Sequence, residues 1–115
     1  MGETEKQNLG TTDTGIKPNV AALLAYLLGF VTGLIFLLVE KNNKFVRFHA
    51  LQSVVVFGVI FAAQWIFSFI PGVGIIISGL LSILSVVLWI VLMVKGYQGE
   101  KYKLPWAGDI AEKNS

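Results

Sequence analysis

The chain has 115 residues, 55% of them hydrophobic and 14% charged, with a net charge of +2 and no cysteine. A soluble domain carries about a quarter charged residues, and one this short has too little interior to hide so much apolar surface. Lipid is therefore the expected solvent. The lack of cysteine excludes disulfides, thiol nucleophiles and thiolate zinc sites. With a single histidine and no acidic residue inside an apolar run, no metal site and no cofactor are expected.

Residues 1–18 are polar and rich in Thr, Gly, Glu and Asn. They hold too little apolar surface to offset the entropy of ordering, so a flexible tail is expected. The apolar run that follows lacks the basic leader and small-residue cleavage site of a signal peptide, and is expected to stay as a membrane helix. It covers residues 20–39, roughly 30 Å of helix and enough to cross a bilayer. Asn19 is placed to cap it. Ala21, Ala25, Gly29 and Gly33 recur every fourth residue. At that spacing small side chains form a smooth seam where another helix can approach.

The stretch from Glu40 to Ser53 separates the first two apolar runs and holds the only arginine and the only histidine. Lys41, Lys44, Arg47 and His49 are candidates for contact with anionic headgroups or a partner. The plainer reading is that they only set topology. A second span is expected over 48–70, its first turns starting as early as Phe45 at the membrane surface. Gln64 is its one strongly polar side chain, and an amide in hydrocarbon must find a partner. An interhelical hydrogen bond is favoured there over a pore contact.

Pro71–Gly74 reads as a turn without charge, so helices 2 and 3 should form a tight antiparallel hairpin. The third span is expected over 75–95. Ser78, Ser82 and Ser85 share one of its faces, where close packing is favoured over a water path. Residues 97–115 mix basic residues with Tyr97, Tyr102 and Trp106, a composition suited to the headgroup zone. Pro105 can open a short surface helix there. The expected fold is thus all-α, with three transmembrane helices over 19–96. Lys41, Lys44, Arg47, Lys95, Lys101, Lys103 and Lys113 then share one side, against Lys6 and Lys17 on the other. The positive-inside rule puts the N-terminus outside and the C-terminus in the cytoplasm of a multi-pass cell-membrane protein.

No Gly-rich phosphate loop, metal pair or catalytic carboxylate pair is present. His49 and Ser53 stand one helical turn apart, close enough to touch, but no oriented third group accompanies them. No catalytic residue is assigned and no enzyme is expected.

Asn19–Lys41, Phe45–Ser53 with its Val-Arg-Phe-His-Ala-Leu-Gln-Ser run, and Gly99–Pro105 carry a family resemblance. Together they resemble a widespread family of small bacterial and archaeal membrane proteins without an assigned function. That family is similar to the Tic-twenty-type component of the chloroplast inner-envelope translocon, a channel-forming subunit with four helices. The resemblance implies a membrane protein acting through helix–helix assembly, with itself or a membrane-protein partner. The alternative it implies is an oligomeric channel or a translocation subunit. The lipid bilayer is an expected partner and nucleic acid is not.

Overall fold

A computed structural model describes residues 9–115. Among them it contains five helices: α1 (Pro18–Leu27), α2 (Phe30–Val39), α3 (Lys44–Phe67), α4 (Val73–Tyr97) and α5 (Ala107–Asn114). The described residues contain no strand. Among the described residues only α3 and α4 are long and apolar enough to cross a membrane, so these hold two candidate spans and not three. They form the expected antiparallel hairpin, joined through residues 68–72.

The first apolar run is where the expectation fails. It breaks at Leu28-Gly29 and folds back on itself. Gly29 sits at φ +63° and ψ −133°, a combination open to glycine and strained for every L side chain. The chain reverses there. Residues at the two ends of the run then meet: the backbone N–H groups of Asp13 (2.7 Å) and Thr14 (3.0 Å) donate to the Glu40 carboxylate. Each arm has ten residues, about 15 Å of helix. That is about half of a bilayer's hydrocarbon core. The hairpin enters and leaves at one end of the molecule.

A reversal in an apolar environment frees backbone groups that must be bonded locally, because each one left open costs several kcal/mol. Polar side chains near the tip do this. Thr32 Oγ1 donates to the Ala25 carbonyl (3.2 Å) and accepts from Leu28 N (3.1 Å). Ser53 Oγ donates to the Gly29 carbonyl (2.8 Å), and Trp89 Nε1 to the Leu27 carbonyl (3.1 Å).

α1 packs against α3 and α4, and α2 lies along α3. Small residues allow this closeness. A methyl group at Gly33 would stand 2.9 Å from the Ala50 carbonyl oxygen and from Ser53 Cβ. Gly96 takes α1 at Ala22 in the same way, with 3.1 Å to its methyl carbon. One core gathers Ala21, Ala25, Phe36, Val46 and Ala50. A second joins Tyr26, Val56, Phe57, Leu92 and Ala107. The expected four-residue seam is therefore divided. Ala21 and Ala25 lie on α1, Gly29 forms the break and Gly33 lies on α2. Their neighbours are in the same chain.

The hairpin also changes which ends lie together. Residues 9–17 were expected across the membrane from the C-terminal tail, but they sit beside the α2–α3 elbow. Asn43 Nδ2 donates to the Leu9 and Thr11 carbonyls, each at 3.0 Å. Asn19 does not cap α1; its amide donates to the Tyr97 carbonyl at the end of α4 (3.1 Å). The N-terminal segment, the elbow and the C-terminal tail thus share one end. The flexible tail expected over 1–18 is tied down over 9–17, and residues 1–8 lie outside the described residues. α5 follows Pro105 as expected and packs on α3.

Candidate functional site

The polar end of the molecule is built from two linked hydrogen-bond networks. The outer one centres on Glu40, which is fully buried. Its carboxylate accepts from Asp13 N, Thr14 N and the Thr14 hydroxyl. The Asp13 carboxylate in turn accepts from Lys41 N (2.9 Å) and from the Asn42 amide (3.1 Å). The Lys41 backbone N–H, with the Asn42 amide next, holds the Asp13 carboxyl below its ordinary pKa. α3 starts where it does because Asn43 caps it, accepting from Val46 N at 3.0 Å.

Arg47 closes this network from α3. Its Nη1 donates to the Leu37 (3.0 Å) and Glu40 (3.1 Å) carbonyls, satisfying the open C-terminal end of α2. Its Nε donates to a carbonyl oxygen of Ser115 (3.3 Å). Arg47 therefore fastens α2, α3 and the tail together.

The inner network is deeper. His49, Gln52, Ser53 and Tyr26 are fully buried. His49 Nε2 lies 2.8 Å from the Glu100 carbonyl oxygen, which can only accept, so Nε2 carries the proton. His49 Nδ1 is then the acceptor for the Tyr26 hydroxyl at 2.6 Å. Gln52 Nε2 donates to the Tyr26 oxygen (3.0 Å) and to the Tyr102 carbonyl (2.9 Å). Gln52 Oε1 accepts from Leu104 N (2.9 Å). Among the described residues no buried side-chain polar atom is left without a partner. The rings of Tyr26, Phe45 and Phe48 meet the imidazole edge-on, at centroid distances of 5.4, 4.8 and 5.1 Å.

Three segments distant in sequence are thereby joined: the hairpin through Tyr26, α3 through His49 and Gln52, and residues 100–104 of the tail. The tail is stapled further by Lys103, which pairs with Glu112 (2.8 Å) and Asp109 (3.3 Å). The Glu112 and Asp109 carboxylates hold the Lys103 ammonium pKa above its ordinary value.

The structure separates the four residues that the sequence grouped as lipid or partner contacts. Lys41 and Lys44 are exposed, whereas Arg47 is half-buried and His49 fully buried in contacts of the same chain. His49 does not activate Ser53, whose hydroxyl donates to the Gly29 carbonyl. Gln64 makes an interhelical bond, Nε2 to Ser82 Oγ at 2.9 Å, and Ser82 Oγ donates to the Ser78 carbonyl. Ser78 and Ser85 line two separate cavities. Tyr26, Glu40 and Gln52 were not singled out by sequence. Tyr26 gave the available signal, a phenol inside an apolar run that must find a partner when buried.

A family model described as the magnetosome magnetite crystal formation protein family matches residues 16–111. The chain belongs to this family. The match spans the hairpin, both long helices and most of α5, so the inner network lies wholly within it, whereas Asp13, Thr14 and Ser115 of the outer network lie outside. Relatives include a UPF0132 membrane protein of Methanocaldococcus jannaschii, 47% identical over 93% of this chain and 96% of its own length. A UPF0132 membrane protein of Archaeoglobus fulgidus is 43% identical over 85% of this chain and 95% of its own. A second M. jannaschii relative is 46% identical, over 86% of this chain and 71% of its own length. No solved structure matches the chain. The relatives' names agree with the two apolar helices: this is a small membrane protein of a family with uncharacterised function. The expected similarity to the Tic-twenty-type component is not shown by these relatives.

Proposed function

We propose that the protein is a non-enzymatic membrane protein that works by helix assembly, with a second copy or with another membrane protein. The observation that carries this reading is the bareness of α4. Of its 25 residues, only Gly74, Leu92 and Gly96 are buried. The remainder presents Ile75, Ile76, Leu80, Ile83, Val87 and Ile90 outward, each at least half exposed. Gly58 on α3 and Gly79 on α4 have open space where a side chain would stand. Such sites admit another helix closely. By contrast, the reactive-looking side chains are consumed in internal bonds. In a process of the kind that describes the family, this reading gives the chain an organising part. Crosslinking in native membranes should yield adducts larger than the monomer, and recovery of monomer alone would refute assembly.

The same reading sets an orientation. Every lysine and arginine among residues 9–115 lies near the end that holds residues 9–17, the elbow and the C-terminal tail, and the α3–α4 turn has none. The positive-inside rule then puts both chain ends in the cytoplasm of a two-span protein. Single cysteines at Thr11 and Ser115 should both resist an impermeant thiol reagent in intact cells, while one at Val73 reacts. Labelling at Thr11 would overturn this arrangement. The second reading, an oligomeric channel or translocation subunit, is supported by the polar row of Gln64, Ser82 and Ser78. It predicts conductance in planar bilayers that changes when Ser82 is substituted.

A further inference from the structure

The hairpin fills only the half of the molecule next to the polar end. Beyond its tip, α3 and α4 continue alone. Directly beneath the tip lies a cleft of about 320 Å³, bounded by Gly29 and Phe30, by Phe61 and Gln64 of α3, and by Ser85 and Trp89 of α4. A second cavity of about 400 Å³ opens at the α3–α4 turn and is lined by Ser68, Pro71 and Ser78. Polar atoms connect them. Ser78 lines the turn cavity and its carbonyl accepts from Ser82 Oγ, which accepts from the Gln64 amide facing the cleft. From Gly74 to Ser85 is about 16 Å of helix. The polar row therefore rises about half of a 30 Å hydrocarbon core, to the level that the hairpin tip reaches from the other side.

Several of these polar atoms have no partner among the described residues. The Gln64 carbonyl oxygen accepts nothing, and neither the Ser78 nor the Ser85 hydroxyl makes a hydrogen bond. A serine can turn its hydroxyl back to its own helix, but an amide oxygen needs a donor from elsewhere. At membrane depth, an amide without a partner costs several kcal/mol. Water removes that cost where the space is roomy and offers polar contacts, and 320 Å³ holds about ten waters. No charged side chain lines either cavity.

We propose that the space between α3 and α4 beneath the hairpin tip is a hydrated vestibule, entered from the α3–α4 turn and closed at mid-depth by Gly29. It admits water and small uncharged polar solutes. Behind Gly29 its carbonyl is held by Ser53, and the Tyr26–His49–Gln52 network follows, so the tip separates the vestibule from the polar end. The proposal does not depend on assembly, since every lining residue of these open clefts belongs to one chain.

The chain has no cysteine, so single thiols report without background. Ser78→Cys, Ser85→Cys and Ile83→Cys are placed in single-copy nanodiscs and treated with iodoacetamide, itself small, polar and uncharged. Ile83 is 64% exposed on the outer face of α4, at nearly the depth of Ser85. Only the thiolate reacts, and it forms in water rather than in hydrocarbon, so the thiols at 78 and 85 should react about tenfold or more faster than that at 83. A thiol at 85 as slow as that at 83 overturns the proposal. Spin labels at the same positions give a second readout that tolerates altered chemistry at the thiol. Position 85 should favour collisions with a polar nickel chelate over oxygen, and position 83 the reverse. The reverse order at 85 overturns it as well.

Discussion

Replacing Gly29 with alanine distinguishes a folded-back hairpin from a continuous helix by the sign of one number. At φ +63° and ψ −133° an alanine is strained by about 1–3 kcal/mol. Steric conflict adds little, because the added methyl would meet Phe57 Cβ at 3.5 Å, an ordinary contact. The variant should therefore lose about 1–3 kcal/mol of stability through the backbone alone. Were residues 20–39 one straight helix, the same change would gain about 1 kcal/mol, the difference in helix propensity. The assay is reversible unfolding in mixed micelles with rising SDS, followed by far-UV circular dichroism. Gly33→Ala is the companion variant. It fails for a different reason, because its methyl lies 2.9 Å from a backbone oxygen of α3. A Gly29→Ala protein equal to or more stable than the parent would refute the reversal and restore a third span.

Two further outcomes follow from the polar end. Gln52→Leu strands the Leu104 N–H, the Tyr102 carbonyl and one bond of Tyr26 at once; at about 1–3 kcal/mol for each buried group left open, it should cost several kcal/mol and free the tail to proteolysis after Lys101 or Lys103. A parent-like digestion pattern would show that Gln52 does not hold the tail. The Asp13 carboxylate has a lowered pKa in the folded protein, so its grip on the Lys41 and Asn42 N–H groups is complete above the ordinary aspartate value and fades as pH falls through the lowered one. Hydrogen exchange at the Lys41 amide should keep its protection factor down to about the ordinary aspartate pKa and lose it only in stronger acid; loss of protection well above that value would contradict the contact.

The long helices were legible because their evidence is local. α3 beyond Ser53 and α4 up to Lys95 are long apolar runs, Asn43 and Gly72 mark the starts of the two helices, and their charge-free connection declared a tight hairpin. The first run misled because its length matched a bilayer. Small residues every fourth position suit a straight helix as well as two short ones, and what decides between them is distant in sequence. Glu40 must find the backbone of Asp13 and Thr14, and Ser53 and Trp89 must be placed to bond the carbonyls at the tip. One local sign was present: Thr32 follows Gly29 closely enough to satisfy the freed groups on both sides of the break. The inner network was half visible. His49 stood out, but Gln52 did not, and the tail partners of both are backbone carbonyls and one N–H, which any sequence offers.

The uncharged turn between α3 and α4 has a consequence for how the protein is made. In the two-span arrangement proposed above, the irregular segment of the described chain carried to the far side is Ser68–Gly72, five residues without a formal charge. The hairpin of α1 and α2 dips in and returns, so neither it nor the elbow has to be threaded across. Reversing the molecule would instead drag eight lysine and arginine side chains of the described chain through hydrocarbon, each at about 2.5–3.5 kcal/mol on the insertion scale. Its biosynthesis has one inexpensive direction and one prohibitive one.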